Sequence, residues 1–375
     1  MSSQDPEAKE LPPPPGAAQI NQNNPHPNVS PSYPNHYKET TEKRWTAWLV
    51  PMVVLAEIIF FVIVMFVNNC PDNNNDVVFM FGVRERCTAR FLGRFAFQPW
   101  KENRLLGPST STLVKVGALH WWRVVHDHQG WRLFSAIWLH AGLIHLIINL
   151  LSVIFVGIRL EQQFGFIKVG IIYVLSGFGG CILACIFLPW NDVTAGASAP
   201  LFGILGAMLA ELLINCTIYS NKVTASILRR SENQTIRKFH LQASFLPMMQ
   251  VAAIFTLIVV GAINAALGIL PRVGNLTNIG GLATGFLLGF ILLVRSQQGW
   301  NERSYQSGVA IYNRIKSRHK PYQYILWLMA LVILIVGLTA GLVKLFKGKN
   351  GNMDCSWCHY LSCVPTSKWR CDTYT

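Results

Sequence analysis

The sequence predicts an all-α membrane protein that crosses the bilayer about seven times. Of its 375 residues, 51% are hydrophobic and only 13% are charged, whereas soluble domains carry roughly 25% charged residues. The mean hydropathy is +0.32. The apolar residues are also grouped into windows of about 20 residues, the length that a helix needs to cross a hydrocarbon layer of about 30 Å. Composition and grouping together favour a polytopic helical bundle.

Seven apolar windows meet this length criterion, and each is predicted to be a transmembrane helix. The first and the last are almost wholly aliphatic, whereas the second, fourth and sixth begin with polar or small residues. A chemical site is therefore expected near the starts of the second, fourth and sixth windows. The windows are 45–67, 133–156, 166–188, 198–218, 245–270, 276–294 and 322–345.

Composition divides the chain into five predicted segments. Residues 1–44 are rich in Pro, Asn, Gln and Ser, and such a tail is expected to be disordered because it buries too little apolar surface to offset its chain entropy. No apolar stretch precedes Trp45, so the first span is expected to act as an uncleaved signal anchor. The segments are a disordered cytosolic tail (1–44), a six-helix core (45–296) with a long exoplasmic first loop (68–130), a basic cytosolic loop (297–321), a seventh helix (322–346) and a Cys-rich exoplasmic tail (347–375).

The net charge of +14 allows two interpretations, nucleic-acid binding or membrane topology. Lys and Arg are concentrated after the second, fourth and sixth windows, whereas the loops after the third and fifth are nearly free of them. By the positive-inside rule, the basic loops and the N-terminal tail are cytosolic. The loop 68–130 is exoplasmic despite its eight Lys and Arg residues, since loops of about 60 residues are largely exempt. No nucleic-acid partner is predicted.

Six of the nine cysteines fall on the predicted exoplasmic side, which favours disulfides in a multi-pass protein of the secretory pathway (endoplasmic reticulum, Golgi or plasma membrane). At least one disulfide is expected in the C-terminal tail, and a bridge from the tail to the first loop is left open. A zinc knuckle in the tail is the alternative, although the spacing is irregular and no His pair completes it. The six are Cys70, Cys87, Cys355, Cys358, Cys363 and Cys371, whereas Cys181, Cys185 and Cys216 are expected to be small core residues.

Polar residues recur at one depth in three of the spans. The second, fourth and sixth windows run in the same direction, so residues near their starts lie near the same membrane surface. Polar side chains inside a membrane are costly and usually face the bundle interior. His145 and Asn149 share a helix face because they are one turn apart, and they are predicted to lie level with Ser198 and Asn278. Such a set is compatible with acyl-transfer chemistry. His140, Asn275 and Thr277 lie in the same regions.

Each of these signals also has a structural explanation. A serine in a membrane helix more often serves packing, because small side chains let helices approach each other. His145 alone fits a core histidine with satisfied hydrogen bonds, and Gly281 and Gly285 fit an ordinary close-packing face equally well. Only the shared depth and order of the residues favour the functional interpretation.

At these residues the chain resembles the rhomboid family of intramembrane serine proteases, and specifically its plant secretory-pathway members. The resemblance covers roughly residues 45–294, and the combination of motifs is highly specific. It implies a rhomboid six-helix core, to which the seventh helix is added as in secretory rhomboids. The matching stretches are WR at 131–132, HAGLIH at 140–145 with Asn149, GASAPLFGILGA at 196–207, GGLATG at 280–285 and RFLGRFAFQPWKENRLLGP at 90–108.

Members of this family cut transmembrane substrates with a Ser–His dyad. The resemblance implies that Ser198 is the nucleophile and that His145 and Asn149 stabilise the oxyanion. The base is expected to be a His that precedes the Gly pair, and that position is occupied by Asn278. An amide cannot accept the serine proton at neutral pH, and no histidine occurs in residues 241–318.

Three neighbouring positions also depart from the family pattern. Ala199 replaces the Gly of the family's GxSG motif, Pro200 follows it, and Phe202 stands where a Tyr usually packs beneath the His. The sequence is therefore interpreted as a pseudoprotease that binds transmembrane partners without cleaving them. The alternative is an active or very slow serine protease that uses Ser198, with His145 or water as the base.

A pore or transporter is a third class, which the sequence does not favour. The spans contain almost no acidic residues apart from Glu57 and Glu211. A proton relay is expected to use more acidic residues than these two. The predicted partners are transmembrane-segment clients or substrates and the lipid bilayer. No cofactor or metal is predicted, and the oligomeric state is not determined by the sequence.

Overall fold

The computed structural model describes residues 44–73, 86–190, 192–215, 254–270, 272–295, 300–303, 311–314, 319–351 and 355. Within these ranges the α-helices, numbered in chain order, are α1 Leu49–Asn68, α2 Cys70–Asn73, α3 Thr110–Val116, α4 Trp121–Val125, α5 Arg132–Ser135, α6 Leu143–Phe164, α7 Phe166–Phe187, α8 Ser198–Ile214, α9 Ile254–Leu267, α10 Asn275–Leu292 and α11 Pro321–Phe346. Two 3-10 turns are Arg90–Phe95 and Ala136–Trp138, and the strands are β1 Trp300–Arg303 and β2 Ile311–Arg314.

The long apolar helices confirm the predicted all-α membrane fold. Among the described residues, α1, α6, α7, α10 and α11 are long and apolar enough to cross a membrane. The helix α8 has 17 residues, and α9 is also a shorter apolar helix. The fifth predicted window, 245–270, lies partly outside the described residues, so the count of seven spans stays a prediction. The segment 297–321, expected to be a loop, contains the antiparallel pair of β1 and β2.

The second predicted window, 133–156, is wrong about where its helix begins. The helix α6 starts only at Leu143 and is preceded by α5, a 3-10 turn and an extended link. The backbone N–H of Ile144 donates to the carbonyl of Leu105 in the first loop (3.2 Å). A methyl group on Gly142 would lie 2.3 Å from the same carbonyl oxygen. The loop thus supplies hydrogen-bond acceptors for the first N–H groups of the helix. A hydropathy window contains no information about such a contact, so it misplaced the start of α6.

The N-terminus of α1 is held by a carboxylate from α6. Glu161 accepts hydrogen bonds from the backbone N–H groups of Trp48, Leu49 and Val50 at 2.7, 2.7 and 2.9 Å. These N–H groups have no partner within their own helix, and a negative charge at a helix N-terminus is favourable. The contact places the start of α1 beside the end of α6.

The helix α11 is joined to the core at both of its ends. The hydroxyl of Tyr322 donates to the carbonyl of Ile214 at the end of α8 (2.9 Å). Just beyond its other end, the Asn350 amide donates to the carbonyl of Leu188, which follows α7 (2.9 Å). The helix therefore runs from the C-terminal end of α8 to the C-terminal end of α7.

The first loop is fastened to the end of α1. Cys70 and Cys87 form a disulfide, and the Gln98 side-chain amide donates to Asn68 Oδ1 (3.1 Å). Cys355 is also disulfide-bonded, to a partner outside the described residues. Because Cys70 and Cys87 bond each other, the bridge from the tail to this loop is not formed. Cys181 and Cys185 are free and buried, whereas Cys216, Cys358, Cys363, Cys371, residues 1–43 of the tail 1–44 and most of the tail 347–375 lie outside the described residues.

Candidate active site

Glycine packing brings α8 and α10 unusually close together. A methyl group on Gly281 would lie 2.2 Å from the Ala199 carbonyl oxygen, and one on Gly285 would lie 2.1 Å from the Gly203 carbonyl oxygen. Such distances are impossible for a real side chain, so the two backbones meet only because these positions are glycine. Gly281 and Gly285 therefore serve close helix packing, as the structural explanation predicted. This packing places the starts of α8 and α10 side by side.

Ser198 and Asn278 meet at these helix starts. The Ser198 hydroxyl donates to Asn278 Oδ1 at 2.6 Å, and the Asn278 Nδ2 group donates to Asn275 Oδ1 at 3.2 Å. Ser198 and Asn278 are only 1% and 2% exposed. The serine proton thus points at an amide oxygen, which accepts a hydrogen bond but does not take up a proton at neutral pH.

The backbone before Ser198 is fixed by three other parts of the chain. Thr194 exchanges two hydrogen bonds with Leu119 of the first loop. The N–H of Ala195 donates to the carbonyl of Arg272 (3.0 Å), and the N–H of Gly196 donates to that of Ala136 (2.9 Å). These bonds hold the strand-like approach to α8, so the position of Ser198 does not depend on its own helix alone.

Of the two predicted oxyanion residues, Asn149 reaches the neighbourhood of Ser198. Its Nδ2 group donates to the carbonyl of Ala197 at 3.1 Å and also lies 3.1 Å from His140 Nε2. His145 is placed differently, because its Nδ1 accepts the N–H of Ala141 at 3.3 Å. Within the described residues, His145 Nε2 has no hydrogen-bond partner. The structure therefore links Asn149, but not His145, to the residue before Ser198 by a hydrogen bond.

The buried carboxyl group of Glu57 lies near His140, and the sequence did not assign it to the site. Tyr173 in α7 donates its hydroxyl to Glu57 Oε1 in α1, and Glu57 Oε2 lies 3.9 Å from His140 Nε2. His140 in turn contacts Asn149 and packs its ring against His145 with the centroids 5.2 Å apart. The sequence did offer one indication of this contact, because Glu57 is an ionisable residue in an otherwise apolar span. Nothing in the sequence indicated that Tyr173 would be its hydrogen-bond partner.

The residues that depart from the family pattern are packed tightly. A methyl group on Gly180 would lie 2.6 Å from the Ala199 side chain, and one on Gly177 would lie 2.8 Å from the Pro200 ring. Phe202 is buried in an apolar cluster with neighbours from α1, α6, α7 and α10. Pro200 lies in the first turn of α8, where a missing N–H is tolerated. Gly180 and Gly177 thus leave the space that the Ala199 and Pro200 side chains occupy.

The Trp131-Arg132 pair lies where the first loop returns to the bundle. Arg132 is buried, and its Nη1 group donates to the carbonyls of Val114 (2.7 Å) and Ala118 (3.0 Å), whereas Trp131 is 52% exposed. Arg132 thus organises the loop backbone and does not reach the serine through these bonds. Within the described ranges, no three His, Cys, Asp or Glu side chains are close enough to hold a metal ion.

Comparison with known proteins adds a sequence relationship to this geometry. The family model described as Rhomboid domain matches residues 127–295. The chain is 53% identical to RHOMBOID-like protein 2 of Arabidopsis thaliana, over 89% of this chain and 93% of that protein. It is 52% identical to RHOMBOID-like protein 1 of the same plant, over 88% and 75% of the two chains. It is also 38% identical to Inactive RHOMBOID-like protein 8, again from Arabidopsis thaliana, over 88% and 84%.

Proposed function

The chain belongs to the rhomboid family, and we propose that it is an inactive member that binds transmembrane segments without cleaving them. One observation carries the proposal: the hydroxyl of Ser198 donates to the amide oxygen of Asn278 at 2.6 Å. Serine is a weak nucleophile until an adjacent base accepts its proton. The side chain that faces it here cannot act as that base.

The size of the expected defect follows from the way such residues cooperate. In a soluble serine protease, loss of either the serine or the histidine lowers turnover by a factor on the order of 10⁶, because the two act as a unit. Asn149 and the backbone near Ser198 are proposed to stabilise an oxyanion, together with His145. Such groups can contribute a factor of about 10²–10³, which does not replace the missing base.

The partners proposed for the chain are transmembrane segments within the lipid bilayer, since the rhomboid family acts on such segments. The disulfide between Cys70 and Cys87 supports an oxidising environment at the end of α1. We therefore also propose a secretory-pathway membrane, with the N-terminus in the cytosol.

The test is co-expression with a model transmembrane substrate. Wild type is expected to show no detectable cleavage, whereas Asn278→His, alone or with Ala199→Gly, is expected to gain cleavage because the imidazole can accept the serine proton. Ser198→Ala in each background is the matched control and must abolish any gain. Co-precipitation of the uncut substrate with wild type measures the binding half of the proposal.

The outcomes separate the two functions. Cleavage by the unaltered protein that disappears in Ser198→Ala would overturn the pseudoprotease proposal and favour the active protease that uses Ser198. Failure of both histidine variants, with binding retained, means that Pro200 or Phe202 also prevents catalysis. Loss of co-precipitation with every transmembrane segment tried would remove the client-binding role.

A further inference from the structure

Two cationic side chains share the ring of Phe164, the last residue of α6. The guanidinium carbon of Arg295 lies 4.7 Å from the centre of this ring, and Lys168 Nζ lies 5.8 Å from it, so the two charges are neighbours. Both residues are only partly exposed. Like charges repel each other, and partial burial weakens the screening of that repulsion by water and salt. An anion beside the pair relieves the repulsion.

Contacts from three helices hold Arg295 in place. Its Nη2 group donates to Gln163 Oε1 in α6 (2.9 Å), and its backbone N–H donates to Asn215 Oδ1 just after α8 (3.1 Å). Its carbonyl accepts a hydrogen bond from Gln323 Nε2 in α11 (3.3 Å). The position of this guanidinium is thus fixed by the folded bundle.

The acidic side chains of this surface already have partners. Glu211 lies 3.5 Å from Arg295 Nε, and Glu161 accepts the backbone N–H groups at the start of α1. Within the part of the chain that the structure describes, no carboxylate pairs with Lys168, which contacts the ring of Phe164. Arg295 therefore has a compensating negative charge and Lys168 does not.

The place of Lys168 in its helix does not account for this charge. Lys168 is the third residue of α7, and the helix dipole disfavours a cation in the first turn of a helix. Arg295 follows the end of α10, where the dipole favours a cation. The residue before α7, Gly165, provides no side-chain cap for the first N–H groups. An anion held by Lys168 also lies within reach of these donors, which suit phosphate.

The same turn of α7 carries side chains that suit contact with lipid. Phe166 and Ile167 are 49% and 63% exposed, and Trp45 is 46% exposed. Tryptophan is enriched where a membrane meets water, and a methyl group on Gly165 would lie 3.4 Å from the Trp45 ring. Lys168 thus lies at the boundary between lipid and water. Basic pockets between membrane helices at such a boundary bind phosphorylated lipid head groups.

We propose that Lys168, Arg295 and the first turn of α7 form a binding site for a phosphomonoester carried by a lipid head group. A phosphomonoester carries about −1.5 to −2 charge at neutral pH, which suits two cations better than the single charge of a phosphodiester. Arginine adds paired donors that match phosphate oxygens. The site lies beside the end of α8, whereas Ser198 begins that helix, so it is independent of whether Ser198 is active.

The test is native mass spectrometry of the full chain released from detergent micelles with dioctanoyl phosphatidylinositol 4-phosphate. Dioctanoyl phosphatidylinositol has the same acyl chains but only a phosphodiester, and inositol 1,4-bisphosphate has the phosphates without the chains. The variants are Lys168→Gln, Lys168→Arg and Lys344→Gln. Lys344 is the matched control, because its Nζ lies 5.7 Å from the ring of Phe187, near the opposite end of α11 from Gln323.

The fraction of protein bound to phosphatidylinositol 4-phosphate is expected to exceed the fraction bound to phosphatidylinositol several-fold. Lys168→Gln is expected to remove this excess, whereas Lys168→Arg and Lys344→Gln retain it. Retention in Lys168→Arg shows that the charge matters and that substitution at this position leaves the fold intact.

The remaining outcomes identify the source of the phosphate or contradict the site. Equal binding of inositol 1,4-bisphosphate at the same concentration, lost in Lys168→Gln, supports the site and assigns it to a soluble phosphate. Equal binding of the two lipids overturns the proposal, as does an excess that Lys168→Gln leaves unchanged. An equal loss in Lys344→Gln also overturns it, because the effect then reflects total charge.

Discussion

At the residue scale, buried polar side chains lie near Ser198 in the interior of the helix bundle. Glu57 is fully buried, and its carboxyl group accepts a hydrogen bond from the Tyr173 hydroxyl with His140 nearby. A buried carboxyl group is tolerated when hydrogen bonds compensate for its lost hydration. Removal of one partner therefore costs more than the hydrogen bond itself contributes, because the other partner remains buried and unpaired.

We predict that Tyr173→Phe lowers the free energy of unfolding by about 1–3 kcal/mol, the cost of an unsatisfied buried partner. Glu57→Leu combined with Tyr173→Phe is expected to be less destabilising than the sum of the two single substitutions, since the pair is then removed together. Unfolding of the purified protein in detergent micelles measures all three variants. Strict additivity in this cycle would show that the two side chains do not interact.

At the element scale, capping explains why α1 begins where it does. The first N–H groups of a helix lack internal partners, and here Glu161 supplies acceptors to three of them. In the same way, the loop carbonyl of Leu105 supplies a partner at the start of α6. Helix starts in this protein are thus set by contacts from distant segments as well as by hydropathy.

Glu161→Leu is expected to lower the free energy of unfolding by about 1–3 kcal/mol, because three backbone N–H groups, one of them buried and two partly buried, lose their acceptor. Glu161→Gln should have a smaller effect, since one amide oxygen still accepts. Hydrogen exchange at Trp48, Leu49 and Val50 should accelerate more in the leucine variant than in the glutamine variant. Arg159→Gln, an exposed change on the same helix, is the control. Equal exchange in all variants would contradict the capping role.

At the scale of the whole molecule, the ends of the helices define two surfaces. Glu161 brings the start of α1 to the end of α6, and Tyr322 brings the start of α11 to the end of α8. The residues just beyond α11 lie instead beside Leu188, at the end of α7. This arrangement supports the proposed topology, in which the starts of α1 and α11 share the cytosolic surface.

Glycosylation provides the test of that topology. The tail contains the acceptor sequence Asn28-Val29-Ser30, which glycosylation enzymes modify only on the lumenal side. We predict that Asn28 stays unmodified and that an acceptor added after Thr375 is used. Electrophoretic mobility before and after deglycosylation reads both sites. Asn28→Gln distinguishes a band due to Asn28 from one due to the other natural acceptor sequences, which are Asn215-Cys216-Thr217, Asn233-Gln234-Thr235 and Asn275-Leu276-Thr277. The reverse pattern would invert the orientation of every span.

The sequence alone determined the fold class and the identity of Asn278, the residue that we propose to stand in the position of the base. Both are local properties, since an apolar window of about 20 residues is readable without its neighbours and the identity of Asn278 needs no coordinates. Only the tertiary structure decided that Ser198 donates to Asn278, that Tyr173 holds Glu57 and that α6 begins at Leu143. Each of these contacts joins segments that are far apart in the chain and that pack together only in the folded protein. Hydropathy and helical periodicity are properties of short stretches and do not predict which distant stretches pack together.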